Sequence, residues 1–299
     1  MILTPNAKIN VGLDVVRKRP DGYHDIETLF VPVPGLRDVL EVVKADEAGM
    51  TCYGTPCDVP VEKNLCFKAF RLMQKNYGIS DVHIYLYKNI PMGAGLGGGS
   101  SDAAFTLIAL NEVFLLGLSQ ERLAEIAAEL GSDCPFFIYN RPMFAGGRGE
   151  ILEPFEIDLS HYRIEVVTPG IHISTADAYK GVDAIKGFGD AVATGAQSEE
   201  QVRIGNMHEE STGPERSLVG AICAGQKNIA SSSIYQSILK LRLSQGILNW
   251  RENVVNDFEA YAFAKYPILA DFKNDLYSRG AIYASMTGSG SALYGIFPK

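Results

Sequence analysis

At 299 residues the chain is long enough for two cores, and 46% hydrophobic with 21% charged residues is ordinary globular composition. A formal net charge of −8 argues against a general nucleic-acid binder, though not against small anions, which respond to local charge. No run approaches the ~20 apolar residues that span a bilayer, and Met1-Ile2-Leu3-Thr4-Pro5 lacks a signal-peptide layout, so a cytoplasmic protein without a membrane partner is expected.

Ile9, Val11, Leu13 and Val15 alternate with Lys8, Asn10, Gly12 and Asp14. That period predicts a strand with one buried face and with Lys8 and Asn10 side by side on the other. Arg17 to Gly22 has turn chemistry, Tyr23 and His24 follow, and Leu29 to Val33 is apolar. Val39 to Val43 alternates before a polar loop. Asn64 to Tyr77 has helical spacing, and Val82, Ile84 and Leu86 form a strand leading through Lys88 into Pro91-Met92-Gly93-Ala94-Gly95-Leu96-Gly97-Gly98-Gly99-Ser100-Ser101-Asp102. A helix is expected to start near Ser100 to Asp102, where short polar side chains cap well. A second helix is expected from Ser119 to the stop at Gly131.

Gly146-Gly147-Arg148-Gly149 is another backbone-exposing turn, and Arg163 to Val167 reads as a strand. From about Val182 to Ser233 the chain is rich in Gly, Ala, Ser, Glu and Gln without a sustained period, which predicts a flexible insertion. Helical patterns return over Trp250 to Phe263 and Ile268 to Tyr277. Ala281 to Ala284 and Leu293 to Phe297 read as strands around Met286-Thr287-Gly288-Ser289-Gly290-Ser291. Five cysteines without paired metal spacing point to reduced thiols.

The glycine-rich stretch is a candidate phosphate cradle, because unpaired main-chain N–H groups and the dipole at a helix start both favour an anion. Gly93, Gly95 and Gly98 match the dinucleotide pattern GxGxxG, but the following segment is a helix and then another helix, where a dinucleotide fold needs a second strand. No lysine stands beside Ser100 as a Walker loop requires, and the later motifs of protein kinases are absent. Asp133, in Gly131-Ser132-Asp133-Cys134-Pro135, fits either a turn cap or a general base beside the phosphate site. Lys8 fits either a solvated strand lysine or a group that neutralises a phosphate or lowers a nearby acid.

Taken in order, Pro5-Asn6-Ala7-Lys8-Ile9-Asn10, Arg19-Pro20-Asp21-Gly22-Tyr23-His24, the glycine stretch, Gly131-Ser132-Asp133 and Thr287-Gly288-Ser289-Gly290 resemble the GHMP-superfamily kinases. Within these the Asp-Gly-Tyr-His segment is similar to the branch acting on 4-diphosphocytidyl-2-C-methyl-D-erythritol in non-mevalonate isoprenoid biosynthesis. The resemblance covers roughly residues 1–182 and 245–299. It implies an α+β fold of two domains, an N-terminal ATP-binding domain over 1–154 and a C-terminal ferredoxin-like domain over 155–299, the latter carrying the insertion at about 182–233.

The implied activity is transfer of the ATP γ-phosphoryl group to the 2-hydroxyl of the cytidine-diphosphate substrate. In it Asp133 is the base and Lys8 its charged neighbour. Asn64, Lys88, Pro91, Gly93, Gly95, Leu96, Gly97, Gly98, Gly99, Ser100 and Ser101 are implied to hold ATP. Ser100, Ser101 or Asp102 is implied to approach Mg²⁺, with Ser100 taken as the metal residue. Asn10, Tyr23, His24, Phe30, Thr175, Tyr179 and Gly288 are implied for the acceptor: Tyr23 and His24 recognise cytosine and Tyr179 stacks on its other face. A monomer or weak homodimer with no nucleic-acid partner is expected. Two other readings stand beside this one: a GHMP kinase of the mevalonate or homoserine type, and a non-catalytic nucleotide sensor that would need neither Lys8 nor Asp133.

Overall fold

The computed structural model describes residues 1–55, 59–188 and 237–299. The chain opens with β1 (Ile2–Leu3), β2 (Asn6–Lys18), β3 (His24–Arg37), β4 (Val39–Lys44) and β5 (Gly49–Gly54). Next come α1 (Leu65–Tyr77), β6 (Val82–Lys88), α2 (Gly98–Val113), α3 (Gln120–Ala128), α4 (Cys134–Tyr139), β7 (Met143–Gly146) and β8 (Ile151–Pro154). The remainder holds β9 (Tyr162–Val167), α5 (Thr175–Lys186), α6 (Ile238–Ser244), α7 (Trp250–Asn253), α8 (Phe258–Lys265), α9 (Ile268–Ser278), β10 (Tyr283–Met286) and β11 (Leu293–Pro298).

These strands form three sheets, ordered β1-β4-β6-β5, β2-β3-β7-β8 and β10-β11-β9. All described pairings between these strands are antiparallel except β5 with β6, so the molecule is α+β. The expected boundary at 154/155 falls in the connection from β8 to β9, where the chain passes from the second of these sheets to the third.

The long alternation from Ile9 to Val15 buries one face of β2 completely, and β3 pairs along it through three register irregularities that twist the ribbon. One apolar core packs α1, α2, α3 and α4 on β4 and β6 around Phe70, Phe136 and Phe137. Each such aromatic contributes roughly 1.5–3 kcal/mol on burial. Another core joins Ile9, Val11, Leu29 and Val31 to Trp250, Tyr283, Tyr294 and Ile296, so the two halves of the chain share apolar contacts and described residues 1–188 and 237–299 lie in one compact unit. α9 and α8 cover β10 and β11 through Phe258, Leu269, Leu276 and Phe297.

Four expectations require correction. The polar stretch after Val43 contains β5, and its parallel pairing with β6 supplies the ladder that its composition hides. The helix after the glycine stretch begins at Gly98 rather than near Ser100 to Asp102. Trp250 to Phe263 is not one helix, because Val254 to Asn256 is drawn across β2: Leu13 N–H donates to Val255 O at 2.9 Å and Asp257 N–H to Leu13 O at 2.9 Å. The expected insertion begins too early, since Val182 is buried inside α5; the stretch from 189 onward lies outside the described residues.

Candidate active site

Because successive side chains on a strand alternate, Lys8 and Asn10 of β2 share a face, and Lys8 Nζ donates to Asn10 Oδ1 at 2.6 Å. The same ammonium lies 3.5 Å from Asp133 Oδ2 and 4.9 Å from the centre of the Phe30 ring. Burial lowers the Lys8 pKa, and the Asp133 charge and hydrogen bond only partly oppose it. Asp133 stands at the N-cap position of α4 yet makes no side-chain capping bond. Of its two readings, the cap therefore lacks its defining contact, and the carboxylate is turned toward Lys8.

The glycine stretch is held against β2 and the β10–β11 turn by main-chain contacts. Lys8 N–H donates to Leu96 O at 3.0 Å, and Ala292 N–H donates to Ala94 O at 3.2 Å. At Gly95, with φ +80°, a Cβ would lie 2.2 Å from Thr287 O, so only glycine permits this approach. Gly97 caps α2 in the left-handed region. Ser101 N–H makes the first helical bond, to Gly97 O at 2.9 Å, which leaves the amides of Gly97, Gly98, Gly99 and Ser100 as donors without helical partners.

Ser101 departs from its expected role. As the fourth residue of α2 it faces inward, fully buried, with Oγ unpartnered. Lys88 also departs from expectation, because its ammonium is taken up inside the protein by Asp38 and, at 2.7 Å, by Asp102. Burial pushes the Asp102 carboxyl up to about 8; Lys88 opposes this and Asp38 reinforces it. Asn64 Oδ1 accepts from Cys66 N at 2.9 Å and so caps α1.

The glycine stretch separates two cavities. The smaller, about 350 Å³, is lined by Asn64, Lys88, Pro91, Leu96, Gly98, Gly99 and Ser100. A larger cleft of about 1090 Å³ is lined by Lys8, Asn10, Tyr23, His24, Phe30, Asp133, Thr175, Tyr179 and Gly288. Gly93, Gly95 and Gly97 line both. Apart from Ser101, the residues expected to hold the nucleotide triphosphate border the first cavity, and those expected to hold the acceptor border the second.

Within the larger cleft, Tyr23 is 57% exposed with the Arg148 guanidinium 5.1 Å from its ring centre. Tyr179 does not present two open faces: its ring stacks on His24, with centroids 4.5 Å apart and 17° between planes, and meets Phe258 edge-on at 4.9 Å. The reason is local, since α5 packs on the start of β3. Burial first, and then the nearby Asp133 charge, push the Tyr179 phenol up to about 12, so it stays a neutral donor. Phe30 lines the cleft from beneath Lys8 and is buried against Phe136 at 5.2 Å. Thr175 Oγ1 lies 3.1 Å from Ser289 Oγ and ties the start of α5 to the β10–β11 turn.

Other groups at the site have partners remote in the chain, which hid them from sequence reasoning. Thr287 Oγ1 accepts from Asn10 N at 3.0 Å and donates to Asn10 Oδ1 at 3.2 Å. Asn256 Nδ2 donates to Met286 O at 2.8 Å and Gly288 O at 2.9 Å, fixing the turn opposite the glycine stretch. Asp183 lies 2.6 Å from His24. Asn256 follows Val254 and Val255 in the segment drawn across β2, and nothing local indicated its target.

The chain is similar to known proteins along its length. Residues 64–141 match the GHMP kinases N terminal domain and residues 240–299 the GHMP kinases C terminal domain. A 4-diphosphocytidyl-2-C-methyl-D-erythritol kinase of Azobacteroides pseudotrichonymphae is 42% identical over 299 residues, covering 100% of this chain and 94% of its own length. That of Parabacteroides distasonis is 41% identical, covering 100% and 92%. Among solved structures, a 4-(cytidine 5'-diphospho)-2C-methyl-D-erythritol kinase superposes with a TM-score of 0.69 at 30% identity, covering 99% of this chain and 89% of that one. The Methanococcus jannaschii mevalonate kinase, with a TM-score of 0.59 at 11% identity over 99% of this chain and 90% of its own, shares the fold alone. The chain belongs to the GHMP kinases, in the family of the 4-diphosphocytidyl-2-C-methyl-D-erythritol kinases.

Proposed function

We propose that this protein transfers the γ-phosphoryl group of ATP to the 2-hydroxyl of 4-diphosphocytidyl-2-C-methyl-D-erythritol, the compound named in its relatives, as a cytoplasmic enzyme that is a monomer or weak homodimer. One observation carries the reading: the glycine stretch forms a wall between two cavities, with Lys8 and Asp133 on the larger side. ATP in the smaller cavity would direct its phosphates over the free amides of Gly97 to Ser100. An acceptor in the larger one would bring its hydroxyl to Asp133.

Phosphoryl transfer asks the protein mainly for positioning and charge stabilisation. Asp133 accepts the hydroxyl proton, and the Lys8 ammonium, 3.5 Å from its Oδ2, keeps that carboxylate oriented until it does. The loop amides take the charge that builds on the phosphoryl oxygens. Ser100, half-buried at the third position of α2 and lining the smaller cavity, fits Mg²⁺, an ion that needs few protein oxygens when phosphates are present. When bound, that ion supplies charge neutralisation at the phosphates.

Tyr23 would stack on the cytosine ring and His24 would read its edge. A coupled ADP-release assay tests the reading. Release should depend on the cytidylyl acceptor, and folded protein that releases no ADP in response to it would refute the function. A mevalonate- or homoserine-type acceptor that alone supported release would reassign the larger cleft.

A further inference from the structure

His24 is held from two directions by one face of α5. Tyr179 and Asp183 are four residues apart, so they project from the same side of the helix. Tyr179 lies flat on the imidazole, while Asp183 Oδ1 stands 2.6 Å from His24 Nε2. The other oxygen, Asp183 Oδ2, is 2.9 Å from Lys18 Nζ. The ring can therefore neither tilt nor turn, although it lines the larger cleft. Burial works against ionisation of Asp183, but the hydrogen bonds from Lys18 and His24 outweigh it and hold the carboxyl below its usual range.

An ionised carboxylate only accepts hydrogen bonds, so the proton between the two groups belongs to Nε2. A neutral imidazole protonated at Nε2 offers Nδ1 as an acceptor.

We infer that Asp183 is a positioning residue for base selection: it fixes His24 as the Nε2–H tautomer, so that Nδ1 accepts from the 4-amino group of cytosine and repels the 4-oxo group of uracil. The inference rests on the cytidylyl acceptor proposed above. Asp183 touches no reacting atom in this scheme. It acts through His24, and Lys18 is part of the device because its ammonium holds the other carboxylate oxygen.

The isosteric variant Asp183→Asn separates this role from a structural one. With Lys18 claiming the remaining oxygen, the new amide presents N–H to Nε2 and reverses the tautomer. The cytidine-to-uridine ratio of kcat/KM, measured with the two diphosphate-linked acceptors, should fall at least about tenfold, the size of one misplaced buried hydrogen bond. The ATP KM should stay within about twofold of the parent, because His24 borders only the acceptor side. Asp183→Glu, which restores a carboxylate, should recover part of the ratio.

Long-range ¹H–¹⁵N spectra of the histidines, with His24 assigned by its loss in His24→Gln, report the tautomer without any turnover. The Nε2–H form is expected in the parent and its loss in Asp183→Asn. An Nδ1–H tautomer in the parent, or an unchanged ratio in Asp183→Asn, overturns the inference. A parent enzyme that phosphorylates neither acceptor would instead refute the proposed function, while the spectra still decide the role of Asp183.

Discussion

Lys8 is a buried ammonium with two polar partners, Asn10 and Asp133. Asn10 is in turn tied to Thr287 and to Thr28, so the cation is seated by a network that also fixes the β10–β11 turn. Asp133 is the outer member, about a third exposed, and its replacement by Asn keeps the shape while removing the proposed base. Asp133→Asn should lower kcat by at least about a hundredfold, within the range for a positioned base. Steady-state kinetics at saturating ATP checks this, and near-normal turnover would return Asp133 to a turn residue. Tyr23 tests the other end of the cleft. Being largely exposed, it can be changed to Ala without disturbing the core, and the acceptor KM should rise far more than the ATP KM. Equal rises in both would remove the stacking role.

At the scale of elements, legibility followed the strength of the local period. β2, α1, β6 and α9 were readable because one face of each is apolar at the spacing of its own geometry. α4 is Cys-Pro-Phe-Phe-Ile-Tyr and buries five of its six residues, so it carries no polar face to mark a helix. α5 buries only Ala178 and Val182 and contains Gly181, where a Cβ would lie 2.2 Å from Tyr261. That glycine weakens the helical signal while allowing α5 to approach α8 closely. The site divides in the same way. Lys8, Asn10, the glycine stretch and Asp133 sit in recognisable local motifs, whereas Asn256, Thr287 and Asp183 are held by partners 30 to 277 residues distant, which no local pattern encodes. Asn256 gives the sharpest test of this long-range wiring. Asn256→Ala leaves the carbonyls of Met286 and Gly288 short of a donor, at a cost of about 1–3 kcal/mol for buried groups. A calorimetric Tm should drop by several degrees, and an unchanged Tm would show that the turn holds itself.

At the scale of the whole molecule, Asp14 brings together charges from distant parts of the chain. It sits on β2, half-buried, within electrostatic reach of Asp257 before α8, Lys186 in α5, Arg242 in α6 and Glu27 on β3. Burial, reinforced by Asp257 and Glu27 and opposed by Lys186 and Arg242, pushes its carboxyl from the ordinary 3.8 up to about 6. Between those values the folded protein keeps a proton that the unfolded chain has released. Folding stability from this group is therefore fully present below about pH 4, declines as pH rises toward 6, and stays lower above it. Asp14→Asn removes the buried charge and with it that decline. The variant should match the parent near pH 4 and exceed it above pH 6, by about 1 kcal/mol once partial exposure to water is allowed for. Thermal melts across that range check the sign. A variant less stable than the parent at pH 7.5 would mean that the pairing with Lys186 and Arg242 outweighs burial, and that these oppositely charged segments are held together through Asp14 rather than in spite of it.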